Sequence, residues 1–243
     1  ERIDFNCDLA ESCGDDAAIV PLVSSASIAC GGHAGDDASM RATVELCLRH
    51  GVAIGAHPSF VDREHFGRRK LDLGAGAIHV LVLAQVRRLK AVCDAAGARL
   101  RHVKPHGALY NLAARDADVA DAIAAAVHAI DPALWLYALS GSALAGAGRL
   151  AGLSVAEEVF AERSYGPDGR LMPRGQPGAV IDDLDASLAQ VRMILREHAV
   201  IALDGPDPAR RAAMRERHIA SIEAMVRDGS LLLGLPLHSA EGR

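Results

Sequence analysis

The chain has 243 residues, half of them hydrophobic but only 3% aromatic, with a formal net charge of −5, which suffices for one compact domain over residues 1–243 packed from Ala, Leu, Val and Ile rather than from rings. Its basic clusters (Gly67 to Lys70, Arg87 with Arg88, Arg210 with Arg211) are too short to track a phosphate backbone, and its apolar runs too short to cross a bilayer, so neither nucleic acid nor membrane is an expected partner. Five irregularly spaced cysteines without a C-x-x-C pair, and no signal-peptide pattern, suit a reducing cytoplasm.

Short β-like runs alternate with Ala/Leu/Arg-rich helical stretches throughout. In chain order the strand candidates are IDFNCDL, SASIACGG, GVAIGAH, RLRHVKP, LWLYALS, LSVAEEVF and, less regular, HAVIALDG at 198–205. Helices are predicted over 38–50, 76–96, 116–130, 141–150 and 184–197. This alternation predicts an α/β fold of about seven strand–helix units around a parallel sheet. In such folds the active site lies at the carboxyl ends of the strands. Asp8, Glu11, His33, His57, Lys104, His106, Glu158 and Arg163 all end or follow a strand candidate.

Asp8 and Glu11, in NCDLAESCGDD, leave the first strand three residues apart, either to cap a helix or to face the mouth of the sheet. CGGHAGDD then sets two glycines and His33 ahead of a helix whose first turn suits an anion; Asp36 reads equally well as its N-cap. His57 precedes Pro58, which restricts its backbone. Arg68 and Arg69 read either as a carboxylate or phosphate clamp or as an exposed pair. In HVKPHGALYN, one of only three lysines among 26 basic residues stands between two histidines, so Lys104 is expected to do something a guanidinium does not. Pro105 and Gly107 read as a turn, with Tyr110 and Asn111 beside it. Glu158 and Arg163 precede a Gly/Pro-rich loop over 164–178 that reads as a lid or specificity loop; Glu162 reads as a solvated charge.

NCDLAES, SIACGGHAGDD, GVAIGAHPSF, FGRR, HVKPHGALYN and VFAERSYGPDGRLMPR occur in the order in which they stand in the LamB/YcsF family, which the chain resembles over about residues 3 to 182. The resemblance implies a distorted seven-stranded β/α barrel of the glycoside hydrolase/deacetylase type. It also implies the activity of the A subunit of bacterial 5-oxoprolinase: ATP-dependent opening of 5-oxoproline to glutamate with partner subunits B and C. The chain departs from the family pattern at Ala10, usually Gly; in DREHFGRR; and in ALDGPDP, where Asp204 and Pro206 replace a His and an Asp.

On this reading Asp8, Glu11, His57, Lys104 and His106 are catalytic, with Lys104 serving an oxyanion or a substrate carboxylate, and His33, Asp36, Arg68, Tyr110, Glu158 and Arg163 bind the small-molecule substrate. ATP enters with the partner subunits, and a homo-oligomer is compatible with the chain. The rival is a metal-dependent deacetylase or small amidohydrolase in which Asp8, His57 and His106 hold a divalent ion, as in the wider barrel superfamily. A third reading is a non-catalytic binding paralogue.

Overall fold

The structure, a computed structural model, describes residues 4–197 and the backbone of 231–235. Six strands, β1 (Asp4–Leu9), β2 (Ser25–Ala29), β3 (Ala53–His57), β4 (Leu100–Val103), β5 (Trp135–Leu139) and β6 (Ser154–Phe160), pair successively in parallel to form a curled sheet. A further strand, β7 (Leu231–Leu235), pairs in parallel with both β6 and β1 and so joins the two edges. It falls within the apolar run SLLLGLPL and not in the strand candidate at 198–205, which, with the altered ALDGPDP motif, lies outside the described residues.

The helices are α1 (Asp16–Ile19), α2 (Asp37–His50), α3 (Ala75–Ala95), α4 (Gly107–Ala113), α5 (Ala117–Ile130), α6 (Ala143–Leu150) and α7 (Leu184–Glu197). Their ends follow local chemistry: Asp36, Asp116 and Ser142 cap α2, α5 and α6 through side-chain oxygens, and Gly51 ends α2 at φ 69°. Two short helices, α1 and α4, were not legible as helices. α4 has no side-chain cap, and Gly107, read as half of a turn, begins it at φ 57°; the burial of Leu109, Tyr110, Leu112 and Ala113 holds it in place. Among the described residues no helix is long and apolar enough to cross a membrane.

Alternate strand positions do different work. Cys7, Leu9, Ala26, Ile28, Ile54, Ala56, Val103, Leu136 and Val155 join one continuous apolar cluster with helix residues such as Met40, Val82, Leu89 and Ile123. The intervening positions form a polar network inside the sheet's curve. Asp4 accepts from Ser24, Ser25 and the Tyr137 hydroxyl. Asn6 donates to Ser25 Oγ at 2.8 Å, and its carbonyl oxygen accepts from Ser27 Oγ at 3.2 Å. The His102 ring lies 3.2 Å from Ser27 Oγ and stacks 4.0 Å from Tyr137. Burial pushes His102 down to about 3, so it stays neutral among these partners. Polar groups packed this closely are tolerable because nearly all are hydrogen-bonded.

This interior leaves no room at Gly55 on β3, where a Cβ would sit 2.0 Å from His102 Nε2. Gly55→Ala is therefore expected to destabilise the fold by about 1–3 kcal/mol through overpacking. The check is a lower urea midpoint at unchanged m-value; an unchanged midpoint would show that His102 has somewhere else to go.

Candidate active site

β4 delivers Lys104 to the carboxyl end of the sheet, where its backbone N–H donates to Ala56 O at 2.9 Å. The side chain is 2% exposed, and its Nζ lies 2.6 Å from Glu158 Oε1, 3.0 Å from Asp8 Oδ1 and 3.1 Å from Asn6 Oδ1. The ammonium donates hydrogen bonds to Glu158 and Asn6 and stands in an ion pair with Asp8. Burial works against the charge, but Asp8 and Glu158 outweigh it and hold Lys104 above the usual lysine range. Lys104 is thus a fixed cation between two carboxylates, and it also lines the cavity. Burial lifts Glu158 above the ordinary carboxylate range even beside the ammonium, and Glu158 also accepts from the Tyr110 hydroxyl at 2.8 Å. Glu158 therefore binds Lys104 and Tyr110 rather than facing the pocket.

Next to this pair lie three imidazoles, and their outer hydrogen bonds fix their tautomers. His57 Nδ1 donates to Lys104 O at 2.7 Å, and His106 Nε2 donates to Phe66 O at 3.0 Å. Ser59 Oγ gives its proton to Phe60 O and so accepts from His33 Nδ1 at 2.8 Å. Each outward nitrogen is therefore spent, and His33 Nε2, His57 Nε2 and His106 Nδ1 all point inward. Glu11 Oε1 meets them at 2.7, 3.8 and 3.4 Å, while His57 Nε2 and His106 Nδ1 are 2.9 Å apart. Lone pairs cannot face one another and a carboxylate at such distances, so protons or a cation must sit between them. The four donor atoms lie within 4.8 Å of one another and suit a divalent transition ion, with every outer N–H held as metal-bound imidazoles require. This set, Glu11 with His33, His57 and His106, differs from the expected Asp8, His57 and His106: Asp8 is drawn to Lys104 and contacts His57 Nε2 at 3.3 Å. His33, expected to bind substrate, lies inside the cluster, its ring stacked 3.7 Å from that of His106.

Without a metal the same groups divide their protons by environment. Burial pulls His57 down, but Asp8 more than offsets it and holds the imidazole above its usual value. Asp8, though buried, is held well below the carboxylate range by His57 and Lys104. Burial, together with the neighbouring His33 and His57, holds His106 well below the imidazole range. These shifts favour the ionised form of Asp8 and the protonated form of His57, whose Nε2 lies 2.9 Å from His106 Nδ1.

Glu11 reaches this cluster through an unusual turn. Ala10 and Ser12 on either side of it have φ 60° and φ 59°, in the left-handed region. For a non-glycine residue this costs about 1–2 kcal/mol. Ala10 therefore carries strain at a point that aims Glu11 inward. The Ala10 N–H is held by Asp16 Oδ2 at 2.9 Å.

A cavity of about 380 Å³ sits over the cluster, with Asp8, His57, Lys104 and His106 in its floor and Tyr110, Asn111, Arg68 and Arg163 in its walls. The Gly/Pro-rich loop supplies another wall, from Arg170 to Arg174. Two antiparallel bridges, Arg163 with Val180 and Tyr165 with Leu171, pin that loop, as do hydrogen bonds from Arg163 Nε to Ala179 O at 3.2 Å and from Ser164 Oγ to Gly178 O at 2.7 Å.

Asp36 has no part in this cavity. It caps α2, exchanging hydrogen bonds with Ser39 on the surface. Gly32 makes room for the chain itself, since a Cβ there would lie 2.5 Å from Ser59 Oγ and 2.6 Å from Gln85 Oε1. Arg69 pairs with Asp62 at 3.5 Å. Glu162, read as a solvated charge, has both carboxylate oxygens buried without a hydrogen bond, and burial pushes it up to about 7. Asn6 and Ser59, which hold Lys104 and His33, were missed because a strand asparagine and a loop serine carry no pattern that marks them.

A model of the LamB/YcsF family matches residues 3–214. A lactam utilization protein from Thermus thermophilus is 40% identical, with a TM-score of 0.79 over 96% of this chain and 99% of that one. A family 4 carbohydrate esterase from Streptomyces lividans, in complex with acetate, aligns over 96% of this chain and 91% of its own, at 13% identity and a TM-score of 0.37, too low to carry an argument. From the extent of the family match it follows that this chain belongs to the LamB/YcsF family.

Proposed function

We propose that the chain is the A component of a 5-oxoprolinase, opening the ring of 5-oxoproline to glutamate in an ATP-dependent reaction shared with subunits B and C. The fold that goes with this reading is the distorted seven-stranded β/α barrel of the glycoside hydrolase/deacetylase type. The observation that carries it is the ion pair of Asp8 and His57, 3.3 Å apart, in the floor of a small cavity with arginines in its walls. Membership of the family and 40% identity to a lactam utilization protein support it.

A lactam resists water because its nitrogen is conjugated with the carbonyl. Opening it requires a deprotonated water to bond to the carbonyl carbon and a proton to reach the nitrogen as the C–N bond breaks. Asp8, kept ionised by Lys104, is the acceptor for the water's proton. His57 is the donor to the leaving nitrogen, its Nε2 aimed by the bond from Nδ1 to Lys104 O at 2.7 Å. Arg68 and Arg163 hold the substrate carboxylate. Activation of the carbonyl by ATP belongs to the partner subunits.

The second reading, a metal-dependent amidohydrolase, is favoured by the three inward imidazole nitrogens around Glu11. A divalent ion held by Glu11, His33, His57 and His106 would supply a Lewis acid and a more acidic bound water.

Lys104→Met is expected to abolish coupled ATP and 5-oxoproline turnover when assayed with the partner subunits, because Asp8 and Glu158 lose their shared cation. Asp8→Asn, which keeps the shape, should lower kcat by about 10²–10⁴-fold while calorimetry still detects 5-oxoproline binding. Full turnover in either variant would overturn the assignment, and binding without turnover in the unaltered chain would mark a non-catalytic paralogue.

Elemental analysis of chain purified without added metal separates the two readings. The metal reading expects about one ion per chain, lost in His33→Ala and Glu11→Ala, with a lower Tm after chelation. A metal-free chain that keeps its activity after chelation leaves proton handling alone.

A further inference from the structure

A second cavity, of about 570 Å³, lies at the amino ends of the strands and shares no lining residue with the one over Lys104. Asp4, which opens β1, and His102, on β4, give it a polar side, with Arg99 and Arg101 next to His102 in the chain. Trp135, which opens β5, and Leu48, in the last turn of α2, give it an apolar wall. Trp135 is 42% and Leu48 45% exposed, so both offer apolar surface to whatever enters.

The polar side has hydrogen-bonding capacity left over. A carboxylate offers about four acceptor positions. Asp4 uses three of them, for Ser24, Ser25 and the Tyr137 hydroxyl, all neutral donors. Ser27 Oγ gives its proton to Asn6 Oδ1 and so accepts from His102 Nε2. The neutral His102 ring therefore keeps a lone pair on Nδ1, and that atom is buried without a hydrogen bond. The two arginines reverse the balance. Both are exposed, and among the described residues neither they nor Asp4 make an ion pair.

One cavity thus holds a carboxylate and an imidazole nitrogen that can still accept, two guanidiniums that can still donate, and an apolar wall. A simple amine would satisfy only the first pair and a simple carboxylate only the second. We propose that this cavity binds a small amphoteric molecule, a free α-amino acid with an apolar side chain, its ammonium at Asp4 and His102, its carboxylate at Arg99 and Arg101, and its side chain against Trp135 and Leu48. The long, exposed arginine side chains can follow the carboxylate wherever the ammonium fixes it. Nothing in this assignment rests on the lactam reading.

Trp135 is the single tryptophan of the chain, so its fluorescence reports on this cavity directly. The test is titration of the full chain with L-phenylalanine, excited where phenylalanine does not absorb, with calorimetry to count sites. A saturable change at one site per chain is expected. Hydrocinnamate, which lacks the ammonium, and phenethylamine, which lacks the carboxylate, should each bind at least about tenfold more weakly. Arg99→Met combined with Arg101→Met should weaken L-phenylalanine at least about tenfold and leave phenethylamine unchanged. Both side chains are exposed, so the fold should survive, and a circular dichroism melt checks that it does. Lys90→Met, which removes a cation paired with Asp94 on α3, should change nothing. No saturable change in fluorescence, equal affinity for the three compounds, or affinity for L-phenylalanine indifferent to the two arginines would overturn the site.

Discussion

One buried ammonium organises this molecule. Lys104 draws in Asn6 and Asp8 from β1 and Glu158 from β6, and through Glu158 it fixes Tyr110 in the middle of α4. Breaking a buried ion pair by removing one partner typically costs about 3–5 kcal/mol, because the remaining charge is stranded. The carboxylates and the ammonium thus require one another. Their shared requirement joins strands far apart in sequence at the point where the chemistry is expected to occur. An arginine would be a poor replacement, since its planar fork does not concentrate its charge at a single point between Asn6, Asp8 and Glu158.

The polar interior below this site extends the same logic. A parallel sheet covered by helices usually places branched apolar side chains inside its curve. Here Asp4, Asn6, Ser25, Ser27, His102 and Tyr137 fill the space with mutual hydrogen bonds, and the apolar side chains lie between sheet and helices. Asn6 belongs to both systems, its Nδ2 donating to Ser25 and its Oδ1 accepting from both Ser27 and Lys104. The ammonium is therefore supported from beneath by the network.

The site divides into layers with distinct electrostatics. Deepest is the cluster of Glu11 and three imidazoles, whose outer N–H groups are all spent on the protein, a condition that suits either a shared proton or a bound ion. Above it Asp8 Oδ2 and His57 Nε2 are in contact at 3.3 Å. Around the mouth lie Arg68, Arg115, Arg163 and Arg174, which make no ion pair among the described residues. On the proposed reading, an anionic substrate entering from solvent meets attraction first and Asp8 and His57 second, an order that favours capture before chemistry.

Much of this was legible in the residues themselves. Alternation of strand and helix patterns marked β1 to β6 and the five longer helices to within a residue or two at most ends, because these signals are local: period, caps and turn residues. The same pattern set Asp8, His57, Lys104 and His106 at strand ends, and the scarcity of lysine singled out Lys104. Three-dimensional packing alone decided which partner each group took. Whether Asp36 met a ligand or capped α2, whether Glu158 faced the pocket or Lys104, whether Glu162 was solvated, and whether Asp8 or Glu11 joined the histidines depended on residues tens of positions away. Local sequence specifies backbone periodicity, whereas the charge state and partner of a buried group are set by what the fold brings within about 4 Å of it, where the low interior dielectric makes each neighbour decisive.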